Sequence, residues 1–91
     1  MVAAIFEAKL SREQAARLAE LMKEGRPGRP KGVLTAVLTV EDGLGRLTAV
    51  WKDRDTLDRY LSEAPVPRGT ELMRAVGAEP SVRIVEVLEY G

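Results

Sequence analysis

The chain has 91 residues, which is enough for one hydrophobic core and leaves no room for a second domain. Its 14 basic residues balance its 14 acidic ones, and this argues against a nucleic-acid binder, because such proteins rely on a basic excess for much of their affinity. The sequence contains no cysteine and no histidine, which excludes a disulfide framework and the usual ligands of a zinc site.

The first two elements are predicted to be a strand and a helix. Val2–Lys9 has the composition of a β-strand. Ser11 and Gln14 have the spacing of a capping box, which marks the start of a helix. The apolar positions of that helix recur at helical spacing: Ala15, Leu18, Ala19 and Met22. We expect Gly25 to end it in the left-handed conformation.

A β-hairpin is predicted after a loop at residues 25–32 that is rich in glycine and proline. Residues 33–40 (VLTAVLTV) are β-branched or apolar at nearly every position and predict a second strand. Residues 41–45 supply the glycines of a hairpin turn, and residues 46–52 predict a third strand.

The remaining segments predict a second helix and a last strand. Asp53 or Asp55 is expected to cap the helix, which Pro65 and Pro67 interrupt before a further turn that Gly77 closes. Residues 82–90 are predicted to form the last strand. The order β-α-β-β-α-β is that of an α+β ferredoxin-like domain with a four-stranded antiparallel sheet, spanning residues 1–91.

The strands predict self-association through the sheet. Both crossover helices of this topology lie on one face of the sheet. If the other face met water, apolar and polar residues should alternate along each strand. The second strand instead places Val33, Thr35 and Val37 on one side and Leu34, Ala36 and Leu38 on the other. We therefore expect a homodimer formed through the open sheet face. The alternative to a dimer is that the strand faces simply tolerate valine and threonine in water.

The apolar runs are too short to span a membrane, and the N-terminus has no secretory signal pattern. We therefore expect a cytoplasmic protein. Abundant Arg, Glu and Pro, with no Cys or Asn, are typical of a thermophile or a GC-rich genome.

One local pattern, residues 49–61 (AVWKDRDTLDRYL), resembles the dimeric α/β-barrel superfamily, specifically its antibiotic-biosynthesis-monooxygenase-like group. In that group a strand ends in Trp, charged residues follow, and a Leu and a His lie on the next helix. Trp51, Leu57 and Tyr60 occupy the corresponding positions. The resemblance extends over nearly the whole chain and implies a substrate cavity between the helices and the sheet.

The resemblance implies either cofactor-independent oxygenation or no catalysis. Heme-degrading members use an Asn on the first strand and a His on the second helix, where this chain has Phe6 and Tyr60. The chain has no His or Cys, the usual axial ligands of heme, and Tyr60 would be the only plausible substitute, so we expect no heme. We also expect no metal and no other cofactor.

Phe6, Trp51 and Tyr60 are the candidate residues for binding a substrate. Phe6 and Trp51 lie on strands that are adjacent in this topology, and Tyr60 follows on the helix, so the three could line one apolar pocket for a small aromatic ligand. Alternatively, they fill the core. For proton transfer the candidates are Tyr60, Glu7, Arg74 and Arg83, although no recognised acid–base pair stands out.

Two charged clusters have simpler interpretations than a binding site. Arg26, Arg29 and Lys31 partly resemble an AT-hook, but an inserted proline breaks its pattern and favours a flexible basic loop. Asp53, Asp55 and Asp58 lack the spacing of a calcium loop, and helix capping explains them.

The sequence thus predicts a small homodimeric monooxygenase-like protein that binds or oxidises a small aromatic compound without a cofactor. The alternative is a non-catalytic binding or assembly module of the same fold. We expect neither a nucleic-acid nor a membrane partner.

Overall fold

The computed structural model describes residues 1–91 and shows seven main elements. The strands are β1 (Val2–Lys9), β2 (Val33–Glu41), β3 (Leu44–Trp51) and β4 (Ser81–Glu86). The helices are α1 (Arg12–Glu24), α2 (Arg54–Glu63) and α3 (Arg68–Ala75), and a short 3₁₀ turn covers Arg26–Gly28. None of the helices is both long and apolar enough to cross a membrane.

The four strands form one antiparallel sheet in the order β2-β3-β1-β4. This is the ferredoxin-like order, and it confirms the predicted fold class and the adjacency of the first and third strands. The second crossover contains two helices, α2 and α3, because Pro65 and Pro67 separate them as predicted.

The capping predictions are mostly confirmed. The Ser11 hydroxyl accepts from the Gln14 N–H at 3.1 Å, and the Gln14 carboxamide oxygen accepts from the Ser11 N–H at 2.8 Å. Asp53, not Asp55, caps α2. The hairpin turn is Asp42-Gly43, with φ of 50° and 78°, and Gly77 after α3 has φ of 85°.

The prediction for Gly25 was wrong. Its φ is −86° and its ψ −2°, which is right-handed helical backbone. The 3₁₀ turn begins at the next residue, so the chain keeps the same sense of rotation instead of reversing into a left-handed cap.

Two strand predictions also need correction. A bulge between Val33 and Thr35 shifts the register of β2, so that Val33 pairs with Trp51 and joins Ala36 and Leu38 on the helix-covered face. The last strand ends at Glu86, not at residue 90, and Leu88 beyond it is 90% exposed.

The helices cover one face of the sheet and build the core against it. Leu18 of α1, Leu57 of α2 and Met73 of α3 are almost fully buried there. The opposite face, here called the open face, carries no helix. The register places these residues on it: Ala3, Ile5, Glu7, Thr35, Val37, Thr39, Arg46, Thr48, Val50, Ser81, Arg83 and Val85.

Candidate functional site

A row of three alanines crosses the helix-covered face of the sheet. Ala4 on β1 pairs with Ala49 on β3, and Ala49 pairs in turn with Ala36 on β2. Directly paired side chains in antiparallel strands stand next to each other, so three methyl groups lie where larger residues would reach up to the helices. The row leaves space between the sheet and the helical layer.

A cavity of about 360 Å³ occupies this space. All three alanines line it, and 17 of its 25 lining residues are hydrophobic. The helical side is formed by residues of all three helices, among them Met22, Leu61 and Leu72. A volume of this size, with mostly apolar walls, is typical of a site for a small organic molecule.

The structure brings Phe6, Trp51 and Tyr60 to the wall of this one cavity. The Trp51 and Tyr60 rings contact each other with centroids 5.1 Å apart and planes tilted by 39°. Phe6 packs against Gly69 at the start of α3, where a Cβ would lie only 2.5 Å from the ring. Phe6 and Trp51 are also buried members of the hydrophobic core, and Tyr60 packs against that core.

Tyr60 also connects the helices to the basic loop. Its hydroxyl oxygen accepts a hydrogen bond from the Arg68 N–H at 2.8 Å, at the first residue of α3. The Arg68 guanidinium donates to the carbonyls of Gly25 at 2.6 Å and Gly28 at 3.0 Å. The guanidinium lies so close to Gly25 that a side chain there would displace it. Arg68 therefore holds one end of the cavity in place.

Sequence reasoning missed the role of Arg68 and of the loop arginines. Arg68 and two loop residues, Arg26 and Arg29, line the cavity together with Lys23. The sequence pattern of the basic loop indicates only a flexible connection. The Pro65–Pro67 break was the one local signal that Arg68 begins a new helix, but nothing in the sequence placed it beside Gly25.

Three of the four candidates for proton transfer lie away from the cavity. Glu7 is on the open face, where its carboxylate accepts from Arg46 Nε at 2.7 Å. Arg83 shares that face, because its register partner is Ile5. Arg74 binds Glu79 through two hydrogen bonds of 2.8 and 2.9 Å, and this contact raises the pKa of Arg74 and lowers the pKa of Glu79. Tyr60 alone remains at the cavity.

The aspartates before and within α2 have structural roles. The Asp53 carboxylate accepts from the Thr56 N–H at 2.7 Å, and hydrogen bonding from Thr56 lowers the pKa of Asp53. Asp58 accepts from Arg54 Nε at 3.0 Å, one helical turn away. The Asp53 contact confirms helix capping, Asp55 lies in the first turn of α2, and the Arg54–Asp58 pair is a contact that the sequence pattern did not predict.

Comparisons with solved structures identify the fold. The chain superposes on a mutant form of SnoaB, a cofactor-independent oxygenase from Streptomyces nogalater, with a TM-score of 0.69, 17% identity, and coverage of 98% of this chain and 94% of that one. A monooxygenase from the gene ActVA-Orf6 of Streptomyces coelicolor, in complex with nanaomycin D, matches with a TM-score of 0.70 at 16% identity, covering 98% and 88%.

A third match has no known function. The NE2512 protein of Nitrosomonas europaea superposes with a TM-score of 0.67 at 16% identity, covering 99% of this chain and 91% of that one. No protein-family profile and no curated protein matches the sequence. The chain therefore has the fold of the antibiotic biosynthesis monooxygenase structures over nearly its whole length.

Proposed function

We propose that the protein binds a small aromatic compound in the cavity and oxidises it with molecular oxygen, without a cofactor. The observation that carries this proposal is the open space bounded by Phe6, Trp51 and Tyr60. A tightly packed interior at this place would favour a purely structural role for the three rings. The likeness in fold to oxygenases supports the same function.

The reaction requires a substrate that is electron-rich enough to reduce oxygen itself. A hydroxylated aromatic with an activated CH₂ group meets this need: it reacts with O₂ to give a carbonyl and one water, and all four electrons come from the substrate. Loss of the phenolic proton raises the electron density of the ring and starts the transfer. The protein has to bind the ring, keep bulk water away and stabilise the phenolate.

Tyr60 is suited to stabilise the phenolate. It carries the only hydroxyl among the residues that line the cavity. Because its oxygen already accepts from the Arg68 N–H, the Tyr60 proton is free to be donated to a substrate oxygen. The apolar residues around it lower the local dielectric constant, which strengthens such a hydrogen bond.

The second candidate is a binding module of the same fold without catalysis. The observation in its favour is that the lining contains no Asp, Glu or His that could accept the phenolic proton. The module would then carry or sense the aromatic compound unchanged.

Oxygen uptake distinguishes the two functions. The purified protein is mixed with a panel of hydroxylated polycyclic aromatics, and dissolved oxygen is followed with an electrode alongside the absorbance of the products. The oxygenase consumes one O₂ per substrate, and Ala49→Leu, which fills the cavity, abolishes the excess over the uncatalysed rate. Binding without extra oxygen uptake across the panel would establish the module instead.

We also propose that the protein is a homodimer through the open face. Val37 and Val85 on that face are 48% and 37% exposed, and Ile5, Val50 and Ala3 lie between them. Burial against a second copy would stabilise each of the half-exposed valines by roughly 1 kcal/mol, a part of the value for a fully exposed side chain. The resemblance to the dimeric α/β barrels supports the same arrangement. Light scattering after size exclusion should give twice the monomer mass; a monomer at micromolar concentration would disprove the dimer.

A further inference from the structure

The charged residues that line the cavity are all cations. Lys23, Arg26, Arg29 and Arg68 take part in the lining, and no aspartate or glutamate does. This is unexpected in a chain whose 14 basic and 14 acidic residues balance. The charge is therefore segregated at this site, although it cancels over the whole molecule.

Most of these cations have no anionic partner. The four ion pairs of the protein involve Lys23, Arg46, Arg54 and Arg74, so Arg26, Arg29 and Arg68 have no carboxylate within 4.0 Å. The Lys23 contact with Glu20 is 3.7 Å long and lies on the exposed side of α1. Three of the four cations that line the cavity therefore make no direct ion pair within the protein.

Arg68 shows this imbalance most clearly, because its guanidinium is partly buried. Its hydrogen-bond partners are the neutral carbonyls of Gly25 and Gly28. Glu63 and Glu71 border a neighbouring polar cleft with Arg68, but neither forms an ion pair with it. Because these carbonyls already occupy the Arg68 guanidinium, the Arg26 and Arg29 guanidiniums, which make no ion pair, remain for an anion that arrives with the ligand.

We infer that the ligand carries a carboxylate, separate from its aromatic body, that binds at Arg26 and Arg29 on the basic loop. The aromatic body lies over the row of Ala36, Ala49 and Ala4. A planar guanidinium matches a carboxylate with two parallel hydrogen bonds and keeps its charge at any physiological pH. The cations also repel amines, so the site selects acids over neutral and basic aromatics. This inference rests on the proposed function, because it assumes that the cavity binds an aromatic compound.

Three probes that share one aromatic ring system and differ in charge test the inference. Isothermal titration calorimetry compares 1-naphthylacetate, 1-naphthylacetamide and 2-(1-naphthyl)ethylamine at low salt. We expect the carboxylate to bind at least about 10-fold more tightly than the amide, which corresponds to one charge-assisted contact, and the amine to bind more weakly than both. The advantage of the carboxylate should shrink at high salt, since the loop is exposed.

A double variant separates the charge of the loop from the apolar pocket. R26Q/R29Q should lower the affinity for naphthylacetate to that for the amide and leave the amide affinity unchanged. The matched control is R12Q/R17Q, which removes two exposed arginines of α1 that do not line the cavity, and it should leave all affinities unchanged.

The outcomes distinguish this inference from the function on which it rests. Equal affinity for the carboxylate and the amide would overturn the inference and leave an aromatic-binding cavity. An equal loss in R12Q/R17Q would overturn it as well, because only net charge would then matter. Failure of all three probes to bind would overturn the cavity as an aromatic-binding site, and the inference with it.

Discussion

Ala49 on β3 lies directly opposite Ala4 on β1, on the face of the sheet that the helices cover. The two methyl groups form part of the cavity floor, and Ala36 beyond Ala49 extends it. A conventional core would hold at least one larger side chain at such central positions, because protein interiors are close-packed. The candidate function depends on this pair remaining small.

Filling the floor should remove binding without unfolding the protein. Ala49→Leu adds three carbons to an existing space, so we expect the free energy of unfolding to change by less than about 2 kcal/mol. Naphthylacetate binding in the calorimeter should fall below detection. Ala16→Leu, on the exposed side of α1, is the control and should bind normally. Undiminished binding in Ala49→Leu would place the ligand elsewhere.

Removal of the Tyr60 hydroxyl should destabilise the protein. Tyr60→Phe keeps the ring against Trp51 but leaves the partly buried Arg68 N–H without its acceptor. The free energy of unfolding in urea should decrease by about 1–2 kcal/mol. Tyr90→Phe removes a hydroxyl that makes no hydrogen bond within the protein and should have no effect. Equal stability of the two variants would show that the Tyr60–Arg68 contact is unimportant.

Gly69 is expected to tolerate no side chain. Glycine to alanine at most helical positions increases stability by about 1 kcal/mol. At Gly69 the new Cβ would lie 2.5 Å from Phe6, and the ring would have to move. We expect the free energy of unfolding in urea to be about 1–3 kcal/mol lower in Gly69→Ala than in the wild-type protein. At Gly28 the nearest atom to a new Cβ is 3.5 Å away, so Gly28→Ala should be nearly neutral. A stabilised Gly69→Ala would contradict the packing of Phe6.

A charge at the centre of the open face should weaken the dimer. Thr48 lies between Ile5 and Val37 in the register, and in a dimer a lysine there would be buried without a partner. Thr48→Lys should raise the dimer dissociation constant at least about 10-fold in analytical ultracentrifugation. Ser62→Lys, on the exposed surface of α2, should leave the constant unchanged. A dimer that persists equally in both variants would use another surface.

The cap of α2 should make stability depend on pH in acid. The Thr56 hydrogen bonds lower the pKa of Asp53 below its ordinary value of 3.8, so the folded state binds this proton less readily than the unfolded state. The stabilisation is complete above about pH 4 and is lost as pH falls through the lower, folded pKa. Asp53→Asn retains a capping oxygen but cannot titrate.

Urea unfolding of both proteins between pH 6 and pH 2 measures this effect. The free energy of unfolding of the wild-type protein should exceed that of Asp53→Asn by a constant amount at neutral pH. This difference should shrink below about pH 4. A difference in unfolding free energy that grew on acidification would contradict the lowered pKa of Asp53.

Much of the fold could be predicted because its determinants are local. The capping box at Ser11 and Gln14, the Asp42-Gly43 turn and the prolines before α3 act over a few residues, and the sequence shows them directly. The errors at Gly25 and at the end of the last strand concern where an element ends, and the error in β2 concerns register. The bulge near Val33 reverses which side that residue faces, and the extended pattern of β2 is the same with or without it.

The sequence by itself determined the order of the elements, the ferredoxin-like topology and the positions of Phe6, Trp51 and Tyr60 on adjacent elements. Only the tertiary structure decided that three alanines from separate strands align into a cavity floor, and that Arg68 reaches Gly25, 43 positions away. Strand register and helix docking bring these residues together. No short sequence pattern predicts strand register or helix docking. The space and the charge of the cavity come from residues that become neighbours only after the chain has folded.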